Sequence, residues 1–243
     1  MMPGVRADNP TPPSARTHLV EVTAVTDVSP RMRRVTVTGE TLSDFAAWPG
    51  QDVVLHLTDD SGSGVRRRYT VRSLDSGARR FDLDFVLHGH GPGARWAERV
   101  VVGQRIEIFG PRGKVAMSDA GWQLFAGDES ALPAIAEMAR ALPTGVTAIA
   151  LIEVAEPVDE QPIASGADLD VRWLHRGTTE PGTAELLDEA LAGVSVPASD
   201  RHLFLFGESR TVRRLRDAIT QRGVALDEIS AKGYWNLGRA MRD

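Results

Sequence analysis

Six consecutive residues, Arg67-Arg68-Tyr69-Thr70-Val71-Arg72, combine the side chains best suited to holding a planar, phosphorylated ligand. Read as a strand they alternate, so Arg67, Tyr69 and Val71 share one face while Arg68, Thr70 and Arg72 share the other. An arginine fork matches a phosphate, a tyrosine ring offers a stacking surface, and a threonine hydroxyl can donate to a ring nitrogen. An exposed basic strand would show the same six letters, so the segment needs a partner elsewhere in the chain.

That partner follows in Phe85-Val86-Leu87-His88-Gly89 and Gly91-Pro92-Gly93-Ala94-Arg95-Trp96-Ala97. An apolar strand here runs through a glycine-rich turn into the first turn of a short helix. Glycines let backbone N–H groups approach an anion, and the helix dipole adds to the attraction. The turn reads as a cradle for a pyrophosphate.

Two later segments carry a related chemistry. Gly127-Asp128-Glu129-Ser130 ends an apolar strand and opens a helix containing Pro133. Gly207-Glu208-Ser209 repeats the pattern ahead of a helix bearing Arg213, Arg214 and Arg216. Both sets of amides belong at the carboxyl edge of a parallel sheet, where open α/β folds bind nucleotides. Glycines that only end strands are the plainer alternative; two such edges after a phosphate-binding half favour a nucleotide cleft. For the ribose, Glu153 after the second strand would suit the free hydroxyl of NADH, whereas Arg172 or Arg176 would suit the extra phosphate of NADPH. The residues leave both coenzymes open.

The elements that must position these motifs fall into two textures. From His18 to about Ile108 apolar and polar residues alternate (Val20, Val22 and Ala24; Val35 and Val37; Val53, Leu55 and Leu57; Phe81, Leu83 and Phe85; Ile106 and Ile108), which predicts six short half-buried strands. Gly93–Arg99 is the one helix expected among them. After about Ser118, apolar strands alternate with helical segments, the pattern of a parallel sheet covered on both faces. The expected fold is therefore β plus α/β in two domains. An antiparallel six-stranded β-barrel spans residues 17–118, and a parallel-sheet nucleotide-binding domain spans 119–243. Residues 1–16, with Pro3, Pro10, Pro12 and Pro13, are expected to form a disordered leader.

A chain of 243 residues is long enough for two such cores. With 42% hydrophobic and 25% charged residues, and no apolar run near the ~20 residues of a membrane span, a soluble cytoplasmic monomer is expected. A formal net charge of -5 argues against a nucleic-acid partner. The absence of cysteine excludes disulfides, thiolate nucleophiles, Cys-held zinc and ordinary iron–sulfur clusters, so any electrons need an organic carrier. His88 and His90 have no third ligand at a suitable spacing, and no metal site is expected. Arg31, Arg33 and Arg34 read as a solvated strand face, and Trp48, Trp122 and Trp173 as core or domain contacts.

In their order along the chain, the two phosphate-binding segments resemble the flavin-binding motifs of the siderophore-interacting protein family, a branch of the ferredoxin-reductase-like flavoproteins. Gly110-Pro111-Arg112-Gly113, Gly127 to Ala136, Gly207-Glu208-Ser209 and Gly233-Tyr234-Trp235 are similar to further family signatures. Ordered motifs over about 220 residues are far more specific than any one of them. The resemblance implies FAD on the barrel, with Arg67 at its phosphates and Tyr69 and Thr70 flanking the isoalloxazine. Val71 and Arg72 complete that strand, and Val86, Leu87, His88, Gly91, Pro92, Gly93, Ala94 and Trp96 wrap the rest. It places Asp128, Glu129, Ser130, Gly207, Glu208, Ser209 and Trp235 among the cofactor contacts, with NADH or, by family leaning, NADPH as donor.

The resemblance also implies a function. A nicotinamide gives two electrons as hydride while ferric iron takes one at a time, so a flavin is the carrier between them, and no acid–base dyad is expected. The implied acceptor is a ferric siderophore, its iron released as Fe(II), held by the basic residues Arg112, Lys114, Lys232 and Arg239. Two departures bear on that acceptor: Val54, Leu55 and His56 stand where the family often has a lysine, and Asn236 where an arginine is common. The alternatives are a flavoprotein reductase of a biosynthetic pathway and a nonredox protein that binds FAD or iron chelates.

Overall fold

The computed structural model describes residues 14–59, 61–87 and 91–238. His88, Arg239 and residues 1–13 of the expected leader lie outside them. The first half comprises β1 (Arg16–Ser29), β2 (Met32–Thr38), β3 (Asp52–Thr58), β4 (Gly64–Thr70), β5 (Arg72–Asp75), β6 (Arg80–Val86), α1 (Pro92–Arg99) and β7 (Arg105–Arg112). Its strands pair in the order β4-β3-β7-β1-β2-β6-β5 in one antiparallel sheet. The period-two apolar residues, among them Val22, Val35, Leu55, Phe81, Phe85 and Ile108, face one buried core, because alternate side chains of a strand share a face; Ala24 is the exception, since a shift in register after Val22 breaks the alternation and Val25 packs on the core instead.

Seven strands form where six are expected. The segment through Arg72 breaks at Val71, whose N–H donates to the Gln51 carbonyl (2.9 Å) and whose side chain enters the core. The resulting β4 and β5 are joined by that one residue yet form opposite edges of the sheet. The sheet must therefore curl until its edges approach, which makes it a partly closed barrel.

The second half comprises β8 (Trp122–Asp128), α2 (Leu132–Arg140), β9 (Thr147–Val154), β10 (Asp168–His175), α3 (Leu186–Ala192), β11 (Arg201–Glu208), α4 (Ser209–Gln221) and β12 (Ile229–Trp235). These strands are parallel, in the order β10-β9-β8-β11-β12. Their apolar runs are continuous because both faces are covered. Phe125, Ile152 and Phe204 pack with α2 on one side, and Leu124, Leu151 and Leu205 with α3 and α4 on the other. The strand order reverses between β8 and β11, so a crevice opens at the carboxyl ends there.

The halves share a core. Met32 of β2 is buried in the same cluster as Ile135, Met138 and Phe206, with Val28 and Val86 against it. Polar ties surround that seam: Arg31 Nη1 donates to Asp159 Oδ2 (2.8 Å), as Ser29 Oγ does to Asp159 Oδ1 (3.0 Å). Arg34 clamps the buried Asp84 at 2.7 and 2.8 Å. Arg33 clamps Asp27 and donates to the carbonyls of Ala97 and Glu98. The arginines expected on a solvated face are thus tied down: Arg31 and Arg34 by acids far along the chain, and Arg33 by Asp27, its register partner across the β1–β2 hairpin. No described helix is long and apolar enough to cross a membrane.

Candidate functional site

A cleft of about 780 Å³ opens between the two halves. On the barrel side it is lined by Arg67 to Thr70, Asp84, Val86 and the turn Gly91 to Ala94; across from them stand Ser130, Pro133, Glu180, Pro181 and Tyr234 to Gly238. Strict alternation would allow only one of Arg67 and Arg68 to face a ligand. Both line the cleft because β4 is an edge strand, open along its unpaired side. Neither forms an ion pair with a described residue, and Arg67 Nη1 donates to the Arg66 carbonyl (2.6 Å).

The tyrosine and the glycine turn are fitted to each other. Tyr69 lies against Phe85, with ring centroids 4.0 Å apart, and Phe85 against Trp96 at 5.2 Å. A Cβ on Gly93 would come within 1.9 Å of the Tyr69 hydroxyl, so the phenol needs glycine at that position. Burial pushes the Tyr69 pKa up and keeps the phenol protonated. Gly91 is the N-cap of α1 and Pro92 follows at N1, with no side chain capping the end among the described residues. The first amides of the helix, at Gly93 and Ala94, are therefore left for a ligand. Two guanidinium groups and an uncapped helix N-terminus fit a diphosphate, and the mainly apolar remainder of the cleft fits a flat ring system.

At the carboxyl edge of the parallel sheet, the acids tie the structure together. Asp128 is buried, and its Oδ2 accepts from the Glu208 N–H (2.8 Å) and Trp235 Nε1 (2.9 Å). Its Oδ1 accepts from the Ser130 N–H (2.9 Å) and the Ser130 hydroxyl. Gly207, at φ +122°, makes room for this carboxylate: a Cβ there would lie 2.5 Å from Asp128 Oδ2. Glu208 caps α4, with Oε2 accepting from the N–H groups of Arg210 and Thr211 and Oε1 from Leu237 (3.2 Å). A phosphate at the start of α4 would meet this carboxylate rather than free amides. Ser209 donates to the Trp235 carbonyl (2.8 Å), and the C-terminal strand is held at the cleft by all three residues.

The candidate readers of the ribose are paired with one another. Arg176 is almost fully buried and forks onto Glu129 (2.7 and 2.5 Å), with Glu153 3.7 Å away. Burial raises the Glu153 pKa to about 7, against the pull of Arg176 and with the repulsion of Asp128 and Glu129. Arg172 pairs with Asp170 at 2.8 Å.

The structure thus gathers Arg67, Tyr69, Thr70, Val86, Gly91, Pro92, Gly93, Ala94, Ser130 and Trp235 around one cleft. Val71 and Leu87 go to the barrel core instead, and Arg72 turns to Asp84 (3.2 Å). Trp96 packs on that core and lines a separate pocket of about 290 Å³. Asp128, Glu129, Gly207, Glu208 and Ser209 support the cleft without lining it. Of the expected acceptor residues, Arg112 is exposed with its guanidinium 5.6 Å from the Phe109 ring, Lys114 is exposed and does not line the cleft, and Lys232 is paired with Asp52. Sequence reasoning did not assign Arg68, Asp84, Glu180, Pro181 or Asn236 to Gly238. Of these, Arg68 had a local signal in its place on the strand beside Tyr69, and Asn236 in directly following Gly233-Tyr234-Trp235. Among the described residues no group of acids and histidines could hold a metal ion.

Comparison with known proteins agrees with this geometry. The family described as "Siderophore-interacting FAD-binding domain" matches residues 54–115, and that described as "Siderophore-interacting protein" matches residues 120–238. An uncharacterized protein of Mycobacterium tuberculosis is 34% identical, the match covering 91% of each chain. Ferric vibriobactin reductase ViuB of Vibrio cholerae is 31% identical over 87% of this chain and 86% of its own. The crystal structure of a siderophore utilization protein from T. fusca superposes with a TM-score of 0.87 at 30% identity, over 94% of this chain and 96% of that one.

Two outcomes follow from the site. Gly93→Ala is expected to expel the Tyr69 ring and reduce flavin retention about tenfold or more, read as the absorbance ratio of bound flavin to protein. Glu153, with a folded pKa raised above its unfolded value, lowers stability as pH climbs from about 4.5 through 7. Glu153→Gln is therefore expected to exceed the wild type by about 1–3 kcal/mol in urea unfolding near pH 8, the difference closing below about pH 4.5.

Proposed function

This chain belongs to the siderophore-interacting protein family, and from that membership we propose that it is an FAD-dependent oxidoreductase carrying electrons from a nicotinamide coenzyme to a ferric siderophore, with release of Fe(II). The observation that carries the proposal is the convergence of Arg67, Arg68 and the uncapped start of α1 on one side of a cleft whose other side is the aromatic C-terminal strand. Residues 17–118 then hold FAD, and residues 119–243 bring the nicotinamide. FAD, when bound, supplies the exchange between hydride and single electrons that neither reactant can make directly.

The chain's own residues have definite tasks in this scheme. Arg67 and Arg68 neutralise the diphosphate, assisted by the amides of Gly93 and Ala94. Thr70, buried at the edge of the cleft, orients the ring system through its hydroxyl, and Tyr69 props the turn that carries Gly93. Ser130 and Pro133 at the start of α2, together with Trp235, Leu237 and Pro181, form the opposite wall and exclude water from the reacting edge. Asp128 and Glu208 keep that wall in place. No side chain is asked to move a proton in the hydride step. NADPH is the donor to test first and NADH second. The proposal places the enzyme in the cytoplasm as a monomer, where reduced nicotinamides are available.

The protein loaded with FAD is expected to lose its visible flavin absorbance under anaerobic NADPH or NADH, and to regain it when a ferric siderophore is added under argon. A chain that neither coenzyme bleaches would overturn the proposal. Bleaching followed by indifference to every ferric chelate would favour a biosynthetic flavoprotein reductase instead.

A further inference from the structure

Lys232 lies at the seam between the halves, where a cation could greet an anionic chelate. Its surroundings give it another task. Nζ is 2.6 Å from Asp52 Oδ2 and 5.0 Å from the centroid of the Tyr234 ring. The pair joins β12 to β3 across 180 residues of chain, with the Asp52 side chain 4% and the Lys232 side chain 23% exposed. Asp52 stands opposite Thr70 in the β3–β4 ladder, and Thr70 and Tyr234 both line the cleft. Asp52 Oδ1 is buried with no hydrogen-bond partner among the described residues, so the ammonium is the one described group that compensates this carboxylate. The Tyr234 hydroxyl is buried beside Thr70 without a hydrogen-bond partner among the described residues, and burial, aided by Asp52, keeps it protonated.

We infer that Asp52 and Lys232 form a pin between the two halves that positions Tyr234 against Thr70, and that the lysine charge is engaged there rather than in reading the charge of the acceptor. The inference rests on the cleft being the flavin site. Breaking one side of a buried pair strands the other charge, whereas neutralising both sides removes the penalty. A lysine that served the acceptor would show the opposite pattern, because Asp52→Asn would do nothing to restore its loss.

Lys232→Met, Asp52→Asn and the double variant, each in the full chain, separate the two. FAD affinity is measured by flavin fluorescence, and KM is measured for ferric EDTA, an anionic probe, and for ferrioxamine B, a cationic one. Lys232→Met is expected to weaken FAD binding about tenfold, and the double variant to return to within about threefold of the wild type. The ratio of the two KM values is expected to move less than about twofold in any variant. Unchanged FAD affinity in Lys232→Met, or a rise of about fivefold or more in that ratio in either variant lacking the lysine, would overturn the inference. If Lys232→Met does not fold, the double variant, which buries no unpaired charge, decides by the same ratio. A wild-type protein that binds FAD but is not bleached by either nicotinamide defeats the proposed function instead, while the pattern of FAD affinities still tests the pin.

Discussion

Everything at the cleft depends on the shared apolar seam between the barrel and the parallel sheet. Met32 is buried among Ile135, Met138 and Phe206, and Val86 packs against the same cluster from the strand that leads into the glycine turn. Full burial of one such side chain stabilises by roughly 1.5–3 kcal/mol, and the seam holds several. Two domains joined by a small polar contact would move relative to each other, so this seam is what allows one cleft to be built from both. The walls of a site for electron transfer between stacked rings must hold their separation, and a close-packed core resists the sub-ångström shifts that a wet interface permits.

Around that seam, charge is used mainly for construction. Asp128 gathers the ends of β8, β11 and β12, Glu208 caps α4, and Glu129 immobilises Arg176. These acids occupy the carboxyl edge where a nucleotide fold usually offers free amides. What remains open toward the cleft is the start of α2, at Ser130 and Pro133, and the start of α1 on the barrel. The two groups that would neutralise a diphosphate, Arg67 and Arg68, are left out of ion pairs with described residues, as a site that awaits an anion requires.

Much of the fold was legible in the sequence because it is written in period and punctuation. Alternating valines and phenylalanines in the first half and unbroken apolar runs such as Leu203 to Phe206 in the second declare an antiparallel and a parallel sheet without reference to distant residues. The helix at Pro92 and the strand bearing Tyr69 were likewise local signals. What escaped was set by residues far apart in the chain. The break at Val71 follows from its bond to Gln51 and from closure of the barrel, and it carries Arg72 away from Arg67. Glu208 looked like part of an anion cradle, yet its own side chain folds back to cap the helix it precedes. Lys232, expected at the acceptor, is instead paired with Asp52, 180 residues earlier. Edge position, capping and pairing across the seam are properties of the assembled sheets, so no spacing in the sequence encodes them.

The central claim is that a flavin ring lies in this cleft, flanked by Tyr69 and Thr70 and facing the C-terminal strand. A crystal structure of the protein grown with FAD tests it most directly. Electron density for the tricyclic ring beside Thr70, with the diphosphate between Arg67 and the amides of Gly93 and Ala94, is the predicted result. Density for FAD on another surface, or a cleft without it at saturating FAD, would contradict the account.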